Sequence, residues 1–267
     1  MTHTASVVDS GPAAAWHARA FGSAAADLDL RFEARAPQRS ISALLALCLC
    51  DADGHPPETA RLARWPLARR LHALLAVRLA GDPNATEGLQ AQCQRCGSGF
   101  ELELELARCS ELAGNDTPVQ WLTPDGQRLQ LRLPNAADLD AWQSQGLADV
   151  EQLARTLVDT VDDAPPAPAF QLRADWLAPL ADVMAEHDPL NALSVDASCP
   201  DCDHVQALEI ELDHLLLNSF ARQQLRLLDE VLRLAQALHW SEAEIVALPA
   251  WRRAFYLDRI GAAGALS

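Results

Sequence analysis

Alternating apolar and polar residues mark the predicted strands of this chain. Residues 100–106, FELELEL, alternate between apolar and acidic side chains, which predicts a strand with one buried face. The segments 119–123 and 127–133 flank the turn sequence PDG and together predict a β-hairpin. Residues 205–212, VQALEIEL, predict a further strand.

Helical periodicity accounts for much of the remaining chain. Residues 40–50 form a short apolar run in which leucine and alanine favour a helix. Residues 61–81 predict an amphipathic helix from about Leu67, and residues 174–187 predict another helix. Residues 213–239 show helical periodicity over about seven turns. The predicted buried stripe of this last helix consists of Leu217, Phe220, Leu225, Leu228, Val231, Leu232 and Ala235.

Two capping patterns predict where further helices begin. Asn135 is a suitable N-cap, with Asp138 three positions later, and SEAE at residues 241–244 is a capping box. Pro249 interrupts the helical pattern, and a last helix is predicted over residues 250–260.

These elements predict an α+β fold, mainly helical, with a small antiparallel sheet built on two zinc-knuckle halves. Residues 1–36 are weakly patterned and predict a loosely ordered N-terminal arm. Residues 37–261 are predicted to form a single zinc-stapled domain. Its knuckle halves lie near residues 91–133 and 197–212, and its C-terminal helices cover residues 213–261.

The balance of charge limits the classes of partner. The 267 residues carry a formal charge of −16, and all 21 basic residues are arginines. Phosphate backbones and anionic membranes repel such a chain, so nucleic acid is a poor first hypothesis. Because an apolar run of about 18 residues and a secretory leader are both missing, the sequence predicts a cytoplasmic protein that does not span a membrane.

Four of the seven cysteines form two C-x-x-C pairs, each followed by a predicted strand. Cys93 and Cys96 precede FELELEL, and Cys199 and Cys202 precede VQALEIEL. A C-x-x-C turn, or knuckle, directs two thiolates at one metal ion, and two such knuckles supply the tetrahedral four-sulfur set of structural zinc. The other cysteines are predicted to be small buried apolar residues: Cys48, Cys50 and Cys109.

One structural zinc ion per chain, bound by both pairs, is the favoured interpretation. Although 102 residues lie between Cys96 and Cys199, the free-energy cost of closing a loop rises only with the logarithm of its length. The strands that follow the two knuckles would then pair or lie side by side. Gly97 after the first pair, and Asp203 at the same place after the second, suit the tight local backbone.

Three other interpretations of the cysteines stay open. A redox C-x-x-C normally opens a helix, whereas both pairs here open strands, which makes a thiol oxidoreductase the weaker hypothesis. Two separate metal sites would use His204, Cys109 or His214 as added ligands. The last interpretation is that no metal binds.

Known catalytic motifs are missing from the sequence. The patterns HxxxH and GxSxG do not occur, and neither does a phosphate-binding glycine loop. Four cysteine ligands would close the coordination shell of zinc and leave no position for a substrate or water. The sequence therefore predicts a protein that is not an enzyme.

The C-terminal segment combines aromatic and basic residues. They can be packed as core, or they can form a docking surface for another protein, which is the interpretation we favour. The predicted partner-binding residues are Trp240, Trp251, Arg252, Arg253 and Tyr256.

The order of these motifs resembles that of the T-four-like phage baseplate hub assembly proteins, whose relatives also occur in contractile phage-tail-like clusters. The C-terminal part of the resemblance is a C-P-x-C knuckle, an acidic–apolar strand and a long helix, then W-S-E-x-E-I-x-x-L and R-R-x-x-Y-L. The segments 66–81, 93–106 and 131–142 also fit in order, so the resemblance covers about residues 40–261. Asp203 departs from the family pattern, which tends to have glycine there.

The resemblance implies a non-enzymatic function. The protein would be an assembly chaperone or a minor structural component of a contractile phage-tail-like baseplate hub, and its partners would be hub or spike proteins. Whether it stays in the finished particle is left open. The alternative is a zinc-ribbon nucleic-acid-binding or regulatory protein, suggested by the paired knuckles and by the adjacent Arg252 and Arg253.

Overall fold

The computed structural model describes residues 5–7, 16–112 and 116–264. Over these residues the chain has an α+β fold, mainly helical with small antiparallel sheets, and this confirms the predicted fold class. Its α-helices are α1 (Pro37–Cys48), α2 (Thr59–Ala63), α3 (Leu67–Gly81), α4 (Leu106–Glu111), α5 (Ala136–Gln145), α6 (Val150–Thr156), α7 (Leu177–His187), α8 (Leu212–Leu238), α9 (Glu242–Val246) and α10 (Ala250–Gly264). None of the helices in this part of the chain has the length and hydropathy that crossing a bilayer requires.

The strands are short and form four small sheets among the described residues. They are β1 (Ala5–Val7), β2 (Trp16–Ala18), β3 (Leu49–Cys50), β4 (Thr86–Gln92), β5 (Gly99–Glu105), β6 (Val119–Leu122), β7 (Arg128–Leu131), β8 (Val158–Val161), β9 (Ser194–Ser198) and β10 (Val205–Glu209). The sheet orders are β1-β2-β3, β4-β5, β6-β7-β8 and β9-β10.

The chain divides into two compact units. The first unit comprises Met1–Thr59, Ala73–Glu87 and Asp213–Ser267, and the second comprises Ala60–His72 and Gly88–Leu212. The division falls within α3 and β4 and after the first residue of α2 and of α8, so each of these four elements contributes residues to both units. The predicted domain over residues 37–261 includes segments of both.

The core of the first unit forms along α8. Phe220 contacts Phe21 edge to face, with 5.5 Å between the ring centroids. Nearer the C-terminal end of α8, a buried cluster consists of Leu227, Val231, Leu234, Ile245 and Val246. Half-buried Leu28, Trp240, Tyr256, Leu257 and Ile260 pack against this cluster.

The predicted buried stripe of α8 is partly wrong. Leu225, Leu228 and Leu232 are exposed, whereas Leu227 and Leu234 lie in the core. Leucine occupies positions on several sides of this helix, so a helical period can be fitted to more than one face. Packing against α9 and α10 selects the face that is buried.

Residues 16–36 differ from the loosely ordered arm that the weak sequence pattern predicts. Trp16 and Phe21 are buried, and so is the side chain of Asp27. The Asp27 carboxylate accepts hydrogen bonds from the Arg19 guanidinium at 2.7 and 2.5 Å and from the backbone N–H of Gly22 at 2.8 Å. This buried polar centre, together with the buried apolar side chains, orders the segment although its sequence has no clear period. Residues 1–4 and 8–15 of the predicted arm lie outside the described residues.

The second unit has a core against the β6-β7-β8 sheet. The predicted hairpin is confirmed, with Trp121 of β6 opposite Leu129 of β7. Trp121 also contacts Trp176 edge to face, with ring centroids 6.1 Å apart. The buried cluster consists of Val119, Trp121, Leu129, Leu131, Leu133, Leu157, Val158, Leu172, Trp176 and Leu180.

Both predicted capping patterns are confirmed. At the start of α5, the Asn135 side chain accepts from the Asp138 N–H at 3.1 Å, and the Asp138 carboxylate accepts from the Asn135 N–H at 2.9 Å. Ser241 and Glu244 make the same reciprocal bonds at the start of α9, at 3.3 and 2.8 Å. Local sequence alone is sufficient for these helix starts, because the bonded groups are three residues apart.

Gln224 connects α8 to the segment around the 3₁₀ helix Ala25–Asp29. Its Nε2 lies 2.9 Å from the carbonyl oxygen of Asp27, 3.2 Å from that of Leu28 and 2.8 Å from that of Leu30. One side-chain amide group thus donates to three backbone carbonyl oxygens that lie within four residues, at the C-terminal end of the 3₁₀ helix and just after it.

We expect Gln224→Ala to lower the free energy of unfolding by about 1–3 kcal/mol, because buried carbonyl groups lose their donor. Gln236→Ala is the matched control, since Gln236 is exposed on the same helix and its substitution changes helix propensity equally. Urea denaturation followed by circular dichroism measures the free energy of unfolding of both variants. Equal midpoints for the two variants would contradict the assigned role of Gln224.

Candidate metal centre

Each C-x-x-C pair lies in the turn of a β-hairpin. Cys93 and Cys96 connect β4 to β5, and Cys199 and Cys202 connect β9 to β10. The strands that follow the knuckles are confirmed as predicted, but β4 and β9 before them are not in the prediction. The two following strands do not pair with each other: each pairs with the strand before its own knuckle. The knuckle reverses the chain, so the neighbouring strand is the first available partner.

The two knuckles have the same backbone hydrogen bonds. In the first, the Cys93 N–H donates to the carbonyl of Ser98 at 2.9 Å, and the Gly97 N–H donates to the carbonyl of Cys93 at 2.9 Å. The equivalent two bonds of the second knuckle measure 2.9 and 3.0 Å. The repeated sequence phrase therefore encodes one local structure, built twice.

A left-handed backbone follows the second cysteine of each knuckle, as predicted. Gly97 has φ +77° and Asp203 has φ +56°. Glycine adopts this conformation without strain, and Asp tolerates it better than most residues do. Asp203 can therefore take the place in the second knuckle that Gly97 has in the first.

The four sulfur atoms lie together, and this confirms that the distant pairs meet. Cys93 Sγ is 3.7 Å from Cys202 Sγ, and Cys96 Sγ is 3.7 Å from Cys199 Sγ. All four sulfurs lie within 4.8 Å of one another, and no other ligand side chain in the described residues belongs to the group. The arrangement is zinc-ribbon-like and could hold one metal ion such as zinc.

Exposure differs among the four cysteines. Cys93 and Cys199 are buried, Cys202 is half-buried and Cys96 is exposed. The first cysteine of each knuckle therefore faces the protein, while the second faces outward. The cluster is therefore covered by protein at Cys93 and Cys199 and accessible to solvent at Cys96.

Hydrogen-bond donors of the first knuckle favour thiolates. The Ser98 hydroxyl, together with the Ser98 backbone N–H, lowers the pKa of the Cys96 thiol to about 6. The backbone N–H groups of Cys96 and Arg95 lower the pKa of the Cys93 thiol. Thiolates are the form that binds a metal ion.

The second knuckle has donors at equivalent positions, but the pKa values of its two thiols are raised and not lowered. Burial raises the pKa of Cys199, although the backbone N–H groups of Asp201 and Cys202 face its sulfur. At Cys202 the backbone N–H of His204 lowers the pKa, but burial and the neighbouring sulfurs outweigh it and raise the pKa to about 12. Four sulfurs at this spacing cannot all be anionic without a cation among them.

Gln206 joins the two hairpins and is absent from the sequence-based site. Its Oε1 accepts from the Gln94 backbone N–H at 2.8 Å, and its Nε2 donates to the Gln92 carbonyl at 3.0 Å. The side chain is buried on β10. A sequence signal existed: Gln206 occupies an inward position of the alternating strand VQALEIEL, where an apolar residue is expected.

Four of the five predicted partner-binding residues contribute to packing in the first unit. Trp240 and Tyr256 are half-buried and meet edge to face, with centroids 5.3 Å apart. The half-buried Arg252 donates to the Tyr256 hydroxyl at 3.2 Å. Buried Arg253 forms an ion pair with Glu230 at 2.8 Å.

Trp251 is the predicted partner-binding residue with a large exposed surface, at 71%. Phe255, one turn further along α10, is also exposed and is absent from the prediction. The Arg259 guanidinium lies over the Phe255 ring, 5.3 Å from its centroid. The sequence could have indicated Phe255, because a spacing of four residues from Trp251 places both side chains on one face of a helix.

A second group of ligand side chains lies in the turn after β3. Asp51, Asp53 and His55 have ligand atoms within 4.8 Å of one another. The Asp51 carboxylate accepts from the backbone N–H groups of Asp53 and His55 at 3.0 and 2.8 Å, and these bonds account for the proximity. The group is half-buried to exposed.

Comparisons with known proteins assign no family to the chain. Neither a protein-family model, nor a curated protein, nor a solved structure matches it.

We expect Gln206→Leu to destabilise the second unit by about 1–3 kcal/mol, because the Gln94 N–H and the Gln92 carbonyl lose their partner. Gln90→Leu on β4 is the control, since Gln90 is exposed and bonds only across the hairpin surface, to Glu101 at 3.3 Å. Urea midpoints of the two variants provide the measurement. A midpoint for Gln206→Leu equal to that of the control would exclude a joining role.

Proposed function

We propose that this protein is a non-enzymatic, zinc-stapled assembly protein that acts through protein–protein contacts in building a contractile phage-tail-like baseplate hub. The observation that carries the proposal is the distribution of exposed apolar side chains. Of the eight large apolar residues that are exposed among the described residues, five lie on α8 and α10: Leu225, Leu228, Leu232, Trp251 and Phe255. Exposed apolar side chains concentrated on two helices are typical of protein-binding surfaces.

The spacing of the sulfur atoms supports zinc as the metal. A tetrahedral site with Zn–S distances of ~2.3 Å has S–S edges of about 3.8 Å. The cross-knuckle distances of 3.7 Å fit this edge, whereas a disulfide requires about 2.05 Å. Four thiolate ligands complete the shell of zinc, so the ion would stabilise the fold and take no part in a reaction.

Assembly of a baseplate hub is supported by the resemblance described above. The order of knuckle, strand, long helix and C-terminal helices follows that of baseplate hub assembly proteins over about residues 40–261. The residues of W-S-E-x-E-I-x-x-L and R-R-x-x-Y-L form α9, α10 and their junction. These are the elements next to the exposed Trp251, so the strongest part of the resemblance coincides with a candidate docking surface.

The alternative of a zinc-ribbon nucleic-acid-binding protein has weaker support. The charge of −16 opposes binding to phosphate backbones. Of the adjacent arginines that suggested such a role, Arg253 is buried in its ion pair with Glu230 and Arg252 is half-buried against Tyr256. A salt-sensitive mobility shift with mixed DNA or RNA would favour this alternative.

Zinc analysis tests the metal part of the proposal. Protein purified without added metal should contain about one zinc per chain, and Cys199→Ser should lose it, because a serine hydroxyl stays protonated and is a poor zinc ligand. Cys109→Ser is the matched control, since Cys109 is also a buried cysteine of the second unit. Elemental analysis of the wild type and both variants gives the result. A metal-free wild type that unfolds at the same urea concentration with and without zinc would refute it.

Co-purification with neighbouring tail proteins tests the assembly part. The tagged wild type should retain hub or spike proteins encoded near its gene, and Trp251→Ala/Phe255→Ala should lose most of them, because large aromatic contacts dominate protein interfaces. Leu122→Ala is the control, as Leu122 is similarly exposed on β6 of the second unit. Tail-like particles that assemble normally after deletion of the gene would count against the proposal.

A further inference from the structure

Helix α8 carries a seven-residue repeat of which one leucine in each copy is buried and the other is exposed. The tripeptide LRL occurs at residues 225–227 and again at 232–234. The last leucine of each copy, Leu227 and Leu234, is buried in the first unit. The first leucine of each copy is exposed, Leu225 at 62% and Leu232 at 56%.

The exposed leucines form a line along the helix. Seven residues are nearly two helical turns, so Leu225 and Leu232 lie on one face about 10.5 Å apart along the axis. Leu228 lies between them, three residues after the first and four before the second, and is also exposed. Apolar residues that alternate at intervals of three and four residues form the face by which one helix packs against another. We call Leu225, Leu228 and Leu232 the leucine seam.

A basic edge runs beside this seam. Arg226 and Arg233 each follow an outer leucine, so they repeat at the same spacing of seven residues. Both are exposed, and in the described part of the chain neither has an ion-pair partner, although Asp229 lies between them. Arg226, Asp229 and Arg233 give this exposed edge a net charge of +1, whereas the whole protein has a charge of −16.

We propose that the outer face of α8, consisting of Leu225, Arg226, Leu228, Leu232 and Arg233, binds an acidic amphipathic helix of a partner protein. The partner helix has apolar residues at heptad spacing, which fill the leucine seam, and Glu or Asp beside them, which pair with the arginines. The apolar contacts and the ion pairs form in the same alignment of the two helices, because the leucines and the arginines both repeat every seven residues. The inference rests on the proposed function, since it gives the chemistry of one partner segment of the assembly protein.

Charge argues against a second copy of this chain as the occupant. In an antiparallel pairing of two such faces, the same edge of each helix faces its counterpart. With Leu228 of one copy opposite Leu232 of the other, Arg226 would lie nearest Arg233 and Asp229 nearest Asp229, so the like charges would repel. An acidic partner removes this repulsion and replaces it with ion pairs.

A synthetic peptide probe tests the inference. The probe is a fluorescent helix of about four heptads, with leucine at the seam positions and glutamate at the flanking ones, and a second probe has lysine in place of glutamate. Fluorescence anisotropy with the full chain should show the glutamate peptide binding at least about tenfold more tightly than the lysine peptide. Binding should weaken with added salt.

Two variants locate the binding on α8. Leu225→Gln/Leu232→Gln should weaken binding by about tenfold or more through loss of the seam, and Arg226→Glu/Arg233→Glu should reverse the preference between the peptides. Leu122→Gln is the matched control, because Leu122 is exposed to the same 62% on β6. All substituted residues are exposed, and unchanged urea midpoints establish that the variants fold.

Equal affinity for both peptides, no measurable binding of the glutamate peptide, or loss of binding in Leu122→Gln as well would overturn the inference. A dimer in sedimentation experiments that Leu225→Gln/Leu232→Gln dissociates would assign the face to a second copy and overturn it too. The two proposals can fail separately. If purified protein binds the glutamate peptide but hub or spike proteins do not co-purify, only the assembly role is refuted. If hub or spike proteins co-purify but the peptide does not bind, only the proposal for the outer face of α8 is refuted.

Discussion

The meeting of four sulfur atoms from two distant hairpins is the constraint on which the second unit depends. Cys96 and Cys199 are separated by 102 residues, yet their sulfurs lie 3.7 Å apart. Closing a loop of about 100 residues costs about 4–5 kcal/mol of chain entropy. A structural zinc ion contributes on the order of 10 kcal/mol, so the proposed ion would outweigh that cost and would make the closure of the loop cooperative with metal binding.

The protein supports this meeting on its own as well. Gln206 bonds to the backbone on both sides of Cys93, and the two knuckles repeat one set of hydrogen bonds with one left-handed residue each. The backbone and Gln206 therefore orient the sulfurs without help from an ion. Pre-orientation of this kind lowers the ordering cost of binding, because the ligands need not reorganise.

The four-cysteine cluster and most of the large exposed apolar side chains belong to different compact units. All four cysteines lie in the second unit, while the leucine seam of α8 and the aromatic pair of α10 lie in the first. A surface for partners gains from apolar side chains that water reaches, whereas a structural metal site gains from burial and donor groups. Their placement in separate units would let the proposed metal site and the proposed docking surface each have the environment that it requires.

The sequence determined the features whose partners are close along the chain. The knuckles, the alternating strand after each, and the caps at Asn135 and Ser241 depend on groups within about six residues of each other. It also indicated that the two knuckles meet, since each supplies only half of a tetrahedral set. Strands β4 and β9 escaped prediction because each has one large apolar residue at its inward positions, Leu89 and Val195, and the other inward positions hold glutamate or alanine.

Only the tertiary structure decided which surfaces are buried. Leucine appears on both the inner and the outer side of α8, so the helical period alone fits Leu225 as well as Leu227. In the same way, the sequence of two adjacent arginines does not indicate that Arg253 is buried in an ion pair with Glu230 while Trp251 stays exposed. Periodicity fixes the angle between side chains on one element, but burial depends on what packs against it, and that is set by residues far away in the chain.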